Sequence, residues 1–362
     1  MKTTVGNVVS QVWLRRFTKL TCFSTILLIF AGGLVTSTGS GLSVPDWPNT
    51  YGYFMFTFPI DQWVGGIFYE HGHRLIASTV GFFVLVQAFW IAKVESRSWV
   101  KKLGFVALVM VIIQGILGGI TVHYLLPTAI SVSHGILAQT FFSVTIILTY
   151  AFSIERNVRK EEFGNEGSPI SKYALILFGL VFVQLIIAAT MRHTYSGFAI
   201  VDFPLSNGSI IPSFDSTSIQ TANDWLWTNQ SNFYPGLFER IYPITVEKVA
   251  INFTHRAMAL VIFFFVIFLN VKAFKLCKNN SKVMKIIYIL DGILLLQITL
   301  GALTVWTHKA PYITSLHVAN GAAMLGISVL LSLRSLPLTL KKGLTDSDSS
   351  EIFTSKLQNK VV

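Results

Sequence analysis

The sequence predicts an all-α integral membrane protein, with eight transmembrane helices arranged as two tandem four-helix bundles related by a pseudo-two-fold axis along the membrane normal. Three observations predict it. Of 362 residues, 52% are hydrophobic and only 12% are charged, with a mean hydropathy of +0.60, whereas soluble domains carry about 25% charged residues. The apolar residues fall in eight blocks of about 20, the length that crosses about 30 Å of hydrocarbon. The second four blocks repeat the first four. Such a composition excludes disorder and argues against a soluble enzyme.

The blocks lie near 18–38, 70–92, 103–123, 130–152, 172–191, 250–271, 284–306 and 313–334. Each reads as a helix, because a lipid-exposed segment must satisfy its backbone internally. The alternating ten-residue strands of a membrane barrel are absent from the pattern. The formal net charge of +11 would suggest nucleic acid in a soluble chain. Here the cations lie between apolar blocks and read as topology signals. Lys2, Arg15, Arg16 and Lys19 precede the first block. Further clusters follow the second (Lys93, Arg97, Lys101, Lys102), the fourth (Arg156, Arg159, Lys160, Lys172), the sixth (Lys272, Lys275, Lys278, Lys282, Lys285) and the eighth (Arg334, Lys341, Lys342). Residues 39–69 and 124–130 hold no Lys or Arg, and 192–249 hold only Arg192, Arg240 and Lys248. Both termini are therefore expected inside, in a bacterial inner membrane. The first block is too long for a cleaved signal. Cys22 and Cys277 both lie towards the inner face, so no structural disulfide is expected.

The repeat is explicit. Gln114, Gly118, Thr121 and His134 recur as Gln297, Gly301, Thr304 and His317 at an offset of 183, and His73-Arg74 recurs as His255-Arg256 at 182. Upstream, Ser40-Gly41 and Asp46-Trp47-Pro48 echo Ser196-Gly197 and Asp202-Phe203-Pro204 at 156, the difference being taken up by a longer second outer loop. The halves are residues 1–160 and 161–340, followed by a tail, 341–362, expected to be cytoplasmic and flexible. An even number of helices per half sends both copies into the membrane in the same direction, the parallel kind of repeat.

Four of the eight histidines obey this repeat: His73, His134, His255 and His317. They open the even-numbered helices near the outer face. Two imidazoles at one depth on facing helices can clamp a flat macrocycle, since haem iron accepts axial imidazoles and bundle cores are common cofactor sites. Zinc would want Cys or further carboxylates in a tetrahedral shell, and no third duplicated ligand is visible. A purely structural role in helix–helix hydrogen bonding is the plain alternative. Arg74 and Arg256 follow a ligand histidine by one residue and are candidates for pairing with haem propionates or for snorkelling to headgroups. Gln114, Gln297, Thr121 and Thr304 either bond between helices or line the pockets. Glu70 precedes His73 by three residues, on the same helical face, and its counterpart is Asn252. Only the first half thus offers a carboxylate able to accept a proton or stabilise positive charge. His71 is turned away by about 100° of helix, and His123, His193 and His308 lack repeat partners and read as outer-interface residues.

Glu70-His71-Gly72-His73-Arg74 resembles the Glu-x-x-His-Arg motif of the haem A synthase (Cox15/CtaA) family. Phe253-Thr254-His255-Arg256, Ser133-His134-Gly135 and Leu316-His317-Val318-Ala319-Asn320 resemble its other histidine sites. Residues 32–43 and Pro45-Asp46-Trp47-Pro48 are similar to its first helix and outer loop. The resemblance, over roughly 15–335, implies an oxidoreductase converting haem O to haem A for cytochrome oxidase, taking the C8 methyl to a formyl group by successive hydroxylations. It implies that His73 and His134 hold substrate haem with Glu70 catalytic, and that His255 and His317 hold haem b as an electron relay. An electron donor, contact with haem O synthase and a homo-oligomer are further expectations of that resemblance. Some members carry outer-loop cysteine pairs; this chain has none. A bis-His haem has no open site for O₂, so either one ligand leaves or oxidation proceeds by electron withdrawal. Two other functions compete: a dihaem b-type electron-transfer protein that modifies no haem, and a transporter with a duplicated bundle. The first leaves Glu70 unexplained, and the second lacks clear broken helices and midplane charges.

Overall fold

The computed structural model describes residues 2–156, 167–230 and 237–337. Arg159, Lys160, Lys341, Lys342 and the tail expected to be flexible lie outside the described residues. Ten α-helices lie wholly within the described residues: α1 Lys2–Ser37, α2 Gly65–Val94, α3 Ser98–His123, α4 Thr128–Ala151, α5 Ser171–His193, α6 Ser216–Thr228, α7 Leu237–Ile241, α8 Val246–Cys277, α9 Ser281–Trp306 and α10 Pro311–Ser335. Eight of them, all but α6 and α7, are long and apolar enough to cross a membrane. Six contain their expected block, most with several residues to spare, while α1 and α4 each stop one residue short of it, at Ser37 and Ala151. Backbone hydrogen bonding continues where apolar side chains stop, and local caps set the ends. Thr245 caps α8 at the Lys248 N–H, Asn280 caps α9 at the Val283 N–H, and Pro311 opens α10, where its missing N–H costs nothing.

The molecule is apolar on its outside. Val106, Val109, Ile112 and Ile116 on α3 and Leu260, Phe264, Ile267 and Val271 on α8 are exposed, far beyond the patches a soluble monomer shows. An integral membrane protein buries them in lipid. Inside, α1 packs on α2 and α4, with α3 between those two; α5 packs on α8 and α10, with α9 between them. The two groups of helices touch where α1 packs on α10 and where α4 packs on α5 and α10. Close approach needs small residues there. A Cβ on Gly326 would come within 2.9 Å of Ile146, and one on Gly33 within 3.2 Å of Ser315.

The two long loops at the histidine end share the same turn. Both carboxylate oxygens of Asp46 accept the N–H groups of Tyr51 and Gly52 at 2.8 Å, and Asp202 accepts those of Asn207 and Gly208 at 2.6 and 2.8 Å. Tyr51, Gly52, Asn207 and Gly208 all have positive φ. The second loop adds α6 and α7, which form a small core of their own with Ile200, Leu226, Ile241 and Ile244. The sequence offered these only as a long loop.

Candidate functional site

A cavity of about 1850 Å³ opens between the helices at the loop end, lined from both halves. Single-ligand pockets run to about 1,000 Å³, so this one has room for more than one large flat ligand. All four repeated histidines line it, with Glu70, Arg74 and Arg256. They stand six to nine residues inside their helices, about 9–14 Å down at 1.5 Å per residue. That is deeper than the helix starts the sequence suggested, because α2 and α8 begin earlier than their apolar blocks.

The ring centres of His255 and His317 are 6.5 Å apart. An imidazole on each side of one metal, at about 2 Å per bond, puts ring centres about 6 Å apart. Among the described residues the Nδ1 atoms of His73, His134 and His317 are buried without a hydrogen-bond partner, a costly arrangement that a ligand in the cavity would relieve. Glycines make room for the rings: a Cβ on Gly32 would meet His73 Cε1 at 3.1 Å, and one on Gly301 would meet His317 Cε1 at 3.1 Å. Among the described residues no three His, Cys, Asp or Glu side chains gather as a metal site. Paired imidazoles therefore suit a macrocycle that supplies its own equatorial ligands better than they suit zinc.

Around the rings, Gln114 donates to the His134 carbonyl at 3.1 Å, and Gln297 Nε2 lies 3.5 Å from His317 Nε2 while its Oε1 accepts from Asn320 at 2.8 Å. Gln184 Nε2 lies 3.1 Å from His255 Nδ1 and donates to the His255 carbonyl. The repeat could not reveal Gln184, because Leu28 occupies the matching position.

Arg74 and Arg256 hold the loops. Arg74 donates to the carbonyls of Val44, Asp46 and Asn49 and to Glu70 Oε1 at 2.6 Å. Arg256 donates to Ile200, Asp202, Leu205 and Asn252 Oδ1. Each guanidinium thus fastens a loop over its end of the cavity while lining it. Glu70, 4% exposed, also accepts the Val44 N–H at 2.9 Å. Asn252 instead donates to the carbonyls of Ser196 and Gly197. The two positions do the same fastening, but only Glu70 carries charge.

Of the other histidines, His71 is fully buried against Trp63 and Phe58, with Thr50 Oγ1 on its Nδ1, outside the cavity as expected. His193 and His308 line the cavity, unlike the outer-interface placement read from their lack of repeat partners. Arg192 crosses between halves to the Gly33 carbonyl and Ser37 Oγ.

The fold and site define a multi-pass membrane protein with four repeated histidines lining one cavity. The model of the COX15-CtaA family, described as cytochrome oxidase assembly protein, matches residues 15–329, and the chain belongs to that family. It is similar to proteins named heme A synthase from Staphylococcus haemolyticus (23% identical, covering 88% of this chain and 95% of that one) and Shewanella oneidensis (23%, covering 89% and 94%). A heme A synthase from Alkalihalophilus pseudofirmus is 27% identical over 55% of this chain and 66% of its own length.

Proposed function

We propose that this protein is a haem A synthase, an oxidoreductase that takes the C8 methyl of haem O to a formyl group by successive hydroxylations. The observation that carries the reading is the duplicated imidazole pair in one cavity with a buried carboxylate, Glu70, beside the first pair alone. In this reading the chain is two tandem four-helix bundles about a pseudo-two-fold axis along the membrane normal, residues 1–160 and 161–340. His73 and His134 hold the substrate haem, and His255 and His317 hold a resident haem b. When bound, haem b supplies one-electron redox chemistry. Glu70 accepts a proton at its carboxylate, held in place by Arg74 and the Val44 N–H. The loops fastened by Arg74 and Arg256 would shield a bound substrate from water, and the two arginines, which line the cavity, would be the residues available to pair with propionates. The loop-poor end with its cations is the cytoplasmic side of a bacterial inner membrane, which puts both termini in the cytoplasm and the haem sites near the outer face. Haem O synthase and an electron donor are the expected partners, with a homo-oligomer compatible.

The test is chromatography of the haem extracted from protein expressed with and without a haem O synthase. Haem A, or its hydroxylated precursor, is expected only with the synthase. Glu70→Ala should abolish it while substrate haem stays bound, and His255→Ala should remove haem b. Haem b alone in both preparations, with haem O supplied, would identify a dihaem electron-transfer protein instead.

A further inference from the structure

The two ends of the cavity differ in charge at a position the repeat makes comparable. α3 and α9 end in the same cap. Leu126 N–H donates to the Thr121 carbonyl at 2.7 Å and Lys309 N–H to Thr304 at 2.8 Å. The cap residues are left-handed pairs, Leu125-Leu126 (φ 58° and 61°) and His308-Lys309 (φ 49° and 65°). The left-handed backbone is costly for these residue types, so the tight cap fixes where the side chain goes. Each lines the cavity and lies against a repeated glycine. A Cβ on Gly41 would come within 3.4 Å of Leu126, and one on Gly197 within 3.0 Å of Lys309.

In the first half the side chain is a hydrocarbon. In the second it is an ammonium whose Nζ sits 3.7 Å above the Phe198 ring centre and has no hydrogen-bond acceptor among the described residues. Counted as formal charges across the aligned positions, Glu70, Arg74 and Leu126 sum to zero, whereas Asn252, Arg256 and Lys309 sum to two positive charges when Lys309 is protonated. Arg256 is taken up by the loop carbonyls; Lys309 is not.

We propose that Lys309 binds a carboxylate of the group held by His255 and His317, making the second end of the cavity a retaining site and leaving the first end one that releases its ligand. This rests on the haem reading of the histidine pairs, whose ligand carries two propionates. Burial, and then the charge of Arg256, hold the Lys309 ammonium down at about 7, a penalty that an adjacent anion relieves. An aromatic face beneath the ammonium orients it without neutralising it. The asymmetry suits a division in which one haem stays and the other must leave as product.

The test measures haem transfer from the purified full-length protein to excess apomyoglobin, using haem b and its dimethyl ester as separate probes, for wild type, Lys309→Leu, Lys309→Gln and Lys309→Arg. The second-site signal is isolated in a His73→Ala background. Wild type should release haem b about tenfold more slowly than either neutral variant, and Lys309→Arg should stay near wild type. With the ester, which has no carboxylate, all four should release alike. Equal release of haem b by wild type and both neutral variants would overturn the proposal, as would a slowing that persists with the ester. Absence of haem from every preparation, wild type included, would instead overturn the haem reading itself. Neutral variants that bind neither probe are misfolded, and the wild-type comparison of diacid with diester then decides: equal rates overturn the proposal.

Discussion

At the residue scale, the imidazoles depend on atoms that are missing beside them. Gly118 and Gly301 occupy the same place in the repeat, yet an added Cβ would stand 3.8 Å from His134 Cε1 at the first and 3.1 Å from His317 Cε1 at the second. The first distance is ordinary contact; the second obliges the ring to move by a few tenths of an ångström. Overpacking of this kind costs about 1 kcal/mol or more, and axial ligation tolerates little displacement. Gly118→Ala should therefore keep its haem content, whereas Gly301→Ala should lose a severalfold share of the second haem, read as reduced-minus-oxidised absorbance per protein. Equal losses in both variants would contradict this account. The histidines themselves were legible because the repeat separates paired residues from scattered ones. Lys309, His193 and Gln184 were not, because their counterparts are Leu126, Ser37 and Leu28 and a search for identity passes over them.

At the element scale, the loop after α1 is a folded unit held at its tip by Asp46 and at its base by Arg74. The spacing of Asp46 and Asp202 showed that the loops repeat. It did not show that Arg74 and Arg256 bind loop carbonyls, since those partners lie about 25 to 56 residues away and only the folded path brings them together. Likewise α6 and α7 stayed hidden because short helices on a small core lack the long apolar runs that mark the spans. Burial alone would raise the Asp46 carboxyl, but the N–H groups of Gly52 and Tyr51 and the charge of Arg74 outweigh it and hold it below the usual carboxylate range. A depressed carboxyl stabilises the loop fully above its unfolded pKa, about 3.9, and that contribution is lost as pH falls through the lower folded value. Acidification from about pH 4 should therefore loosen the turn that Asp46 holds while Arg74 keeps the base, seen as a change in tryptophan emission from Trp47 and Trp63. Asp46→Asn should remove that acid transition; an unchanged acid profile in the variant would assign it to another group.

At the scale of the whole molecule, the eight apolar blocks foretold eight spans, since length and composition are one-dimensional properties. The shared cavity was not foretold, because it depends on how the halves meet. Gly33 against Ser315, the Arg192 bridge to Gly33 and Ser37, and Gly326 against Phe142 and Ile146 bring α1, α4, α5 and α10 together. These four helices carry the walls common to both histidine pairs, so a change at their seam should act on both sites at once. Gly326 is the sharpest position. Its Cβ would lie 2.9 Å from Ile146 and 3.1 Å from Phe142, nine residues beyond His317 along α10, and its nearest neighbours include none of the four repeated histidines. Gly326→Leu forces α4 and α10 apart, at a cost of about 1–3 kcal/mol. It should lower the apparent melting temperature in detergent and reduce haem at both sites in equal proportion, whereas Gly301→Ala reduces it at one. Ile146→Ala, which vacates the space opposite, should restore part of both when combined with Gly326→Ala. A Gly326→Leu protein that loses only the second haem would mean that the halves hold their ligands independently, and that the common cavity is a passage between two separate pockets.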